Sequence, residues 1–150
     1  MKDIELWNEF VTKNNIVENK TFSSWQFGIS DVQADELSTL VVSGKKTATA
    51  SAHILYELEG EEIPKEGEYS IILNSKNEAV CIIQTSKVYI TPFNKVSENH
   101  AYKEGEGDRS LRYWQKVHEE FFKKELSETG LEFETNMNVV CEEFEVVYKS

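Results

Sequence analysis

Residues 43–51 read SGKKTATAS. Nothing in this stretch is large enough to build a core, yet it sets two ammonium groups directly before Thr47, Thr49 and Ser51. A hydroxyl is a poor nucleophile at neutral pH and becomes useful when a neighbouring amine of lowered pKa takes its proton. Desolvation or a second cation lowers a lysine pKa, and Lys45 beside Lys46 supplies that second charge. Lys46 with Thr49 is therefore a candidate nucleophile and base. The competing account is a solvated helix exit, where lysines complement the helix dipole, running into an edge strand.

A second candidate is EGEGDRS, residues 104–110, in which Glu104, Glu106 and Asp108 alternate with glycines and Arg109 follows. Glycine lets a backbone take unusual angles and come close to a ligand. The carboxylates could serve as acid or base, orient a lysine, or hold a divalent cation, although the spacing is not that of an EF-hand loop. A connecting turn whose acids favour the next helix N-terminus accounts for Asp108 and accounts less well for Glu104. His53, His100 and His118 have no cysteine or histidine at ligand spacing, so no metal site is expected. No glycine-rich dinucleotide loop, Walker loop or nucleophile elbow is present, and no cofactor is expected. Trp25 and Phe27 fall between helices, where aromatic side chains either pack or stack on a base.

The elements that must carry these residues are legible in outline. Ile4, Trp7, Phe10 and Val11 share a helical stripe over residues 3–14. The SSWQFG stretch reads as a packed loop ending at Gly28. Ser30 with Gln33 forms a capping box for a helix that turns Leu37, Leu40 and Val41 inward and stops at Gly44. KTATAS then has period two, with Lys46 on one face and Thr49 on the other, so a bend, a bulge or a ligand is needed to bring them together. Residues 53–59 suit a short helix. EYSIIL and AVCIIQTSKVYI read as strands joined by NSKN. Ser97 caps a short helix ending at Glu104 and Gly105. Asp108 or Ser110 caps the longest helix, about 110–128, whose stripe is Leu111, Trp114, His118, Phe121 and Phe122. In the last strand Val140, Phe144, Val146 and Tyr148 share a face, and Pro64 and Pro92 fall in connections. The pattern is α+β, and a small, largely antiparallel barrel with outer helices suits it better than a doubly wound sheet.

The bulk numbers limit the partners. The net charge of −11 argues against gripping long nucleic acid by its phosphates, since that takes a broad basic face. Any nucleic-acid contact is expected to be local: a flipped base, a strand end or a free nucleoside. No apolar run approaches the ~20 residues needed to cross a bilayer. The opening MKDIELWNEF lacks an apolar signal core, so a cytoplasmic protein is expected, with Cys81 and Cys141 as buried free thiols.

GKKTATAS and HAYKEGEGDRSLRYWQKVHEEFF together resemble the ASCH domain family, within the larger PUA-like group. WQFG and NVVCEEFEVVY fit its longer bacterial members, so the resemblance runs from about Trp25 to Tyr148. It implies a PUA-like fold, a small mixed β-barrel with flanking helices, as one domain over residues 1–150 with 1–24 as an N-terminal helical extension. It implies RNA, a nucleoside or a nucleotide as partner. A shorter ASCH enzyme removes the acetyl group from acetylcytidine with a lysine and threonine in KTxT and a glutamate in HAxxE. The matching positions here are Lys46, Thr49 and Glu104. The implied roles are Thr49 as nucleophile, Lys46 as its base, and Glu104 as acid or orienting group. Gly44, Lys45, Thr47, Ser51, Trp25, Phe27, Glu106, Asp108 and Arg109 would line the substrate cleft. Ser51 stands where the short enzyme has an arginine and cannot make that residue's forked contacts. Other family members resemble ribonucleases, so a ribonuclease, with or without a divalent metal, and a non-catalytic RNA-binding module remain as alternatives.

Overall fold

The computed structural model describes residues 1–16 and 20–150. Among them the order is α1 (Asp3–Asn14), β1 (Phe22–Gln26), α2 (Asp31–Val42), β2 (Ala48–Ala52), α3 (His53–Glu59), β3 (Tyr69–Leu73), β4 (Ala79–Pro92), α4 (Glu98–Glu104), α5 (Leu111–Ser127) and β5 (Asn138–Lys149). The strands form one sheet in the order β1-β3-β4-β5-β2, curled into a half-barrel. Only β1–β3 is parallel. The long pair β4–β5 spans the sheet and shifts register at Ile82/Ile83 and at Thr85/Lys87. Such bulges bend a strand and increase its twist, and they let two straight ladders close toward each other.

Caps fix the helices. Ser30, Ser97 and Ser110 each accept from the backbone N–H three residues on, and the Gln33 side chain accepts from Ile29 N–H at 2.8 Å. Helix α1 packs Leu6, Trp7 and Phe10 on Ile71 and Ile82. Helix α2 brings Val41 onto Phe27, Ile72, Ile83 and Phe144. Helix α5 brings Trp114 and Phe122 onto Phe93, Val139 and Cys141. Both cysteines are free and buried, and burial pushes their thiols up to about 12.

Four details depart from the sequence reading. SSWQFG is largely strand, because Phe22–Gln26 pairs in parallel with β3, a partner that local spacing cannot reveal. Helix α1 is rotated so that Leu6 is buried and Ile4 is 47% exposed. Pro92 closes β4 opposite Asn138, at a strand end where the missing donor matters least. The bulge at Ile82/Ile83 breaks the alternation of β5, so Tyr148 joins the α1 cluster while Phe144 and Val146 pack with Phe27.

Candidate functional site

Two helix ends deliver the site. At the exit of α2, Gly44 takes φ +83°, and the N–H groups of Lys45 and Lys46 both return to the Leu40 carbonyl at 3.0 Å. The strand begins only at Ala48, so the period-two rule does not bind Lys46, and Lys46 and Thr49 line the same cavity. At the exit of α4, Gly105 takes φ +73°, and a Cβ there would overlap the Lys45 carbonyl. The closeness that glycine permits is thus between two backbone segments. Thr47 bolts them together, its N–H donating to the Lys103 carbonyl at 2.7 Å and its hydroxyl to the same oxygen at 3.3 Å. Arg109 stacks on the Tyr102 ring at 3.6 Å and donates to the carbonyls of Tyr102 at 2.9 Å and Lys45 at 3.4 Å.

This join buries the Lys46 ammonium between Glu104 at 3.0 Å and Glu106 at 2.9 Å, with the Phe27 ring 5.4 Å away. Glu104 is 1% exposed and also accepts from His100 Nε2 at 2.7 Å and Trp114 Nε1 at 2.5 Å, with His118 Nε2 3.4 Å distant. Burial works against its charge, but Lys46, His118 and the His100 hydrogen bond outweigh it and hold the carboxyl well below the usual range. Burial also works against Lys46, and its two carboxylates outweigh it, so its pKa is raised. His118 Nδ1 faces the Trp114 carbonyl at 2.9 Å while Nε2 faces a carboxylate. Two acceptors call for two N–H groups, and the His118 pKa is accordingly raised, Glu104 overcoming burial. In this arrangement Lys46 is a donor and a positive charge rather than a free amine, which does not suit the base role the sequence implies. Of the two roles open to Glu104, orientation suits a carboxylate held this firmly.

Two cavities meet at Thr49. The smaller, about 70 Å³, is lined by Lys46, Glu104, Glu106, His118, Phe27 and Thr49 among others. The larger, about 360 Å³, contains Trp25, Ser51, Tyr56, Glu68, Glu125 and Glu142. Phe27, Gly28, Thr49, Ala50 and Phe121 belong to both. In the larger chamber burial pushes Glu142 up to about 7, reinforced by Glu68. Glu125 is raised too, by burial and by Glu128 and Glu59. Ser51 shares a 2.8 Å hydrogen bond with Tyr56.

Of the residues singled out in the sequence, Lys46, Thr49, Glu104, Glu106, Phe27, Trp25 and Ser51 line this double cleft. Gly44, Lys45, Thr47 and Arg109 build the turn behind it. Asp108 accepts from the N–H of Ser110, the cap of α5, at 2.9 Å. Sequence reasoning missed His100, Trp114, His118, Tyr56 and Glu142. The i,i+4 spacings His100–Glu104 and Trp114–His118 place each pair on one helix face, and they were the available signal. Among the described residues, Glu104, Glu106 and His118 present ligand atoms within 4.8 Å of one another. Lys46 bonds both of those carboxylates, so its ammonium is the cation between them, and Asp108 stands outside the group.

The curled five-stranded half-barrel with its five helices is the fold of PUA-like proteins. Residues 23–148 match the ASCH domain family, to which the chain belongs. The ASCH domain from Lactobacillus crispatus JV V101 superposes with a TM-score of 0.92 at 33% identity, covering 97% of this chain and 93% of that one. A protein from Enterococcus faecalis V583 gives 0.90 at 41% identity, with 97% and 88% covered. The ASCH protein of Zymomonas mobilis, at 11% identity, shares the fold with a TM-score of 0.51 over 83% of this chain and 68% of that one. No protein of curated function matches the chain in sequence. Among the described residues, no helix is long and apolar enough to cross a membrane.

Proposed function

We propose that the chain is a hydrolase of an acylated nucleoside, cleaving an amide on the base through Thr49. The observation that carries this reading is the place of Thr49, at the junction of a cavity holding a buried ammonium and a chamber large enough for a small ligand. A volume of about 360 Å³ falls within the usual range for ligand pockets. Trp25, Phe27, Tyr56 and Phe121 offer the apolar and aromatic surface that a base needs. The Thr49 oxygen attacks the acyl carbon, and the Lys46 ammonium, oriented by Glu104 and Glu106, stabilises the oxygen that gains charge. Fixed positive charge in a dry site favours the transition state over the ground state.

The other two readings find less support. A metal-assisted ribonuclease using Glu104, Glu106 and Asp108 lacks Asp108 at the cluster. An RNA-binding module gripping phosphate with Arg109, Arg112, Lys45 and Lys46 has Lys45 and Arg112 exposed. But Lys46 is 2% exposed, Arg109 is engaged with Tyr102 and Lys45, and a net charge of −11 works against a broad phosphate grip. The deciding experiment is mass-detected chromatography of acylated nucleosides and a short single-stranded RNA after incubation with the protein, with and without chelator. Loss of an acyl mass, abolished by Thr49→Ala with an unchanged melting temperature, is the expected result. Chelator-sensitive RNA fragments would replace this reading with the ribonuclease. Saturable RNA binding without any product would replace it with the binding module.

A further inference from the structure

The proposed reaction needs a group to take the Thr49 proton, and Lys46, already an ammonium, is not free to do so. Strands β2 and β5 run antiparallel with Thr49 directly opposite Glu142. Residues so placed point to the same face of the sheet, with Cβ atoms ~4.5–5.5 Å apart. Both line the larger chamber. The neighbouring Glu143 belongs to the other face, where Lys103 bonds it at 2.9 Å and Lys87 is its register partner. Thr49 therefore has an ammonium on one side and a carboxylate on the other.

We propose that Glu142 is the general base of this site, taking the hydroxyl proton of Thr49 as its oxygen attacks the acyl carbon. This inference rests on reading Thr49 as the nucleophile. The proton passes to Glu142 as the C–O bond forms. It then goes to the leaving amine as the C–N bond breaks, so the carboxylate is restored. Water next attacks the acyl-threonine ester and gives its proton to Glu142. Breakage of the ester bond returns that proton to Thr49 and releases the acid. The sum is amide plus water to amine plus acid.

The surroundings of Glu142 suit the task. Glu68, preceding β3, faces it across the chamber and raises it, Thr85 of β4 lowers it, and the Glu104 charge also reaches it. Tyr56 of α3 and Glu125 of α5 share its chamber. Apart from Thr85 and Tyr56 these neighbours are carboxylates, and burial, reinforced by Glu68 and Glu104, brings Glu142 to about 7. A base near the working pH combines a useful ionised fraction with real proton affinity.

The test is the pH dependence of kcat for acetylcytidine hydrolysis, from about pH 5 to about pH 9, in the wild type, Glu142→Gln and Glu142→Asp, with a melting curve for each. The wild type should gain activity through a limb near neutral pH. Glu142→Gln should lose about 10²–10⁴-fold in kcat, with KM little changed and the limb gone. Glu142→Asp should keep the limb at reduced rate. If Glu142→Gln does not fold, the aspartate profile decides, and absence of its limb overturns the proposal. Thr49-dependent hydrolysis with the limb intact in Glu142→Gln overturns the base assignment and leaves the hydrolase reading standing. No acid released by the wild type from acetylcytidine or from the other acylated nucleosides overturns both.

Discussion

The two chambers that meet at Thr49 put the same side chain to opposite uses. In the smaller one Glu104 is buried among Lys46, His100, Trp114 and His118, and stays charged. In the larger one Glu142 keeps company with Glu68 and Glu125 and is pushed toward the neutral form. Burial works in one direction in both places. The number of donors aimed at the carboxylate decides the outcome, since hydrogen bonds and opposite charge favour the ionised form and desolvation opposes it. A fold that ties off one glutamate and leaves another short of donors has a fixed charge and a titrating one on either side of a hydroxyl.

The comparison breaks most visibly at Glu104. Glu104→Gln leaves the Lys46 ammonium buried with Glu106 alone, and removal of one partner from a buried ion cluster costs about 3–5 kcal/mol. Urea melts at neutral pH should show that loss. Next is the join that brings the carboxylates to Lys46. Gly105→Ala puts a Cβ into the Lys45 carbonyl at a positive φ and should cost about 1–3 kcal/mol, read as a lower melting temperature.

The smallest effect has the opposite sign. The Glu142 pKa is raised in the folded chain, from 4.5 to about 7, so its contribution is complete below its unfolded value and fades as pH rises through the folded one. His118, also raised, adds to the decline from its unfolded value upward. The wild type should therefore lose stability between about pH 5 and about pH 8. Glu142→Gln should melt about 3–6 °C higher than the wild type at the upper pH and nearly level with it at the lower. A flat difference between the two would remove the contrast between the chambers.

Much of this was readable in the chain. Ser30, Ser97 and the Asp108–Ser110 stretch announced three helix starts because a cap is a local device, and the structure gives the third to Ser110. NSKN announced the β3–β4 hairpin for the same reason. KTAT and HAYKE drew attention to Lys46, Thr49 and Glu104, which the fold gathers into one cleft. What stayed hidden depends on partners far along the chain. Strand β1 is defined by its pairing with β3, and a five-residue segment with two apolar side chains carries no period of its own. The protonation of Lys46 follows from a carboxylate pair delivered by another helix end. Glu142 is one of several acids in its strand, and only the register with β2 sets it beside Thr49.

The Lys45–Thr47 turn lies outside regular structure, yet its backbone is held on every side. Thr47 N–H donates to Lys103 and its carbonyl accepts from Phe144 N–H, while the Lys45 carbonyl meets Gly105 and Arg109. The Thr47 amide should exchange with deuterium as slowly as those of the sheet centre, although it belongs to a loop. A molecule entering the cleft meets an ammonium whose entropy of ordering was spent during folding. At that end, discrimination among ligands becomes a matter of fit to a rigid mould, with little backbone rearrangement to accompany it.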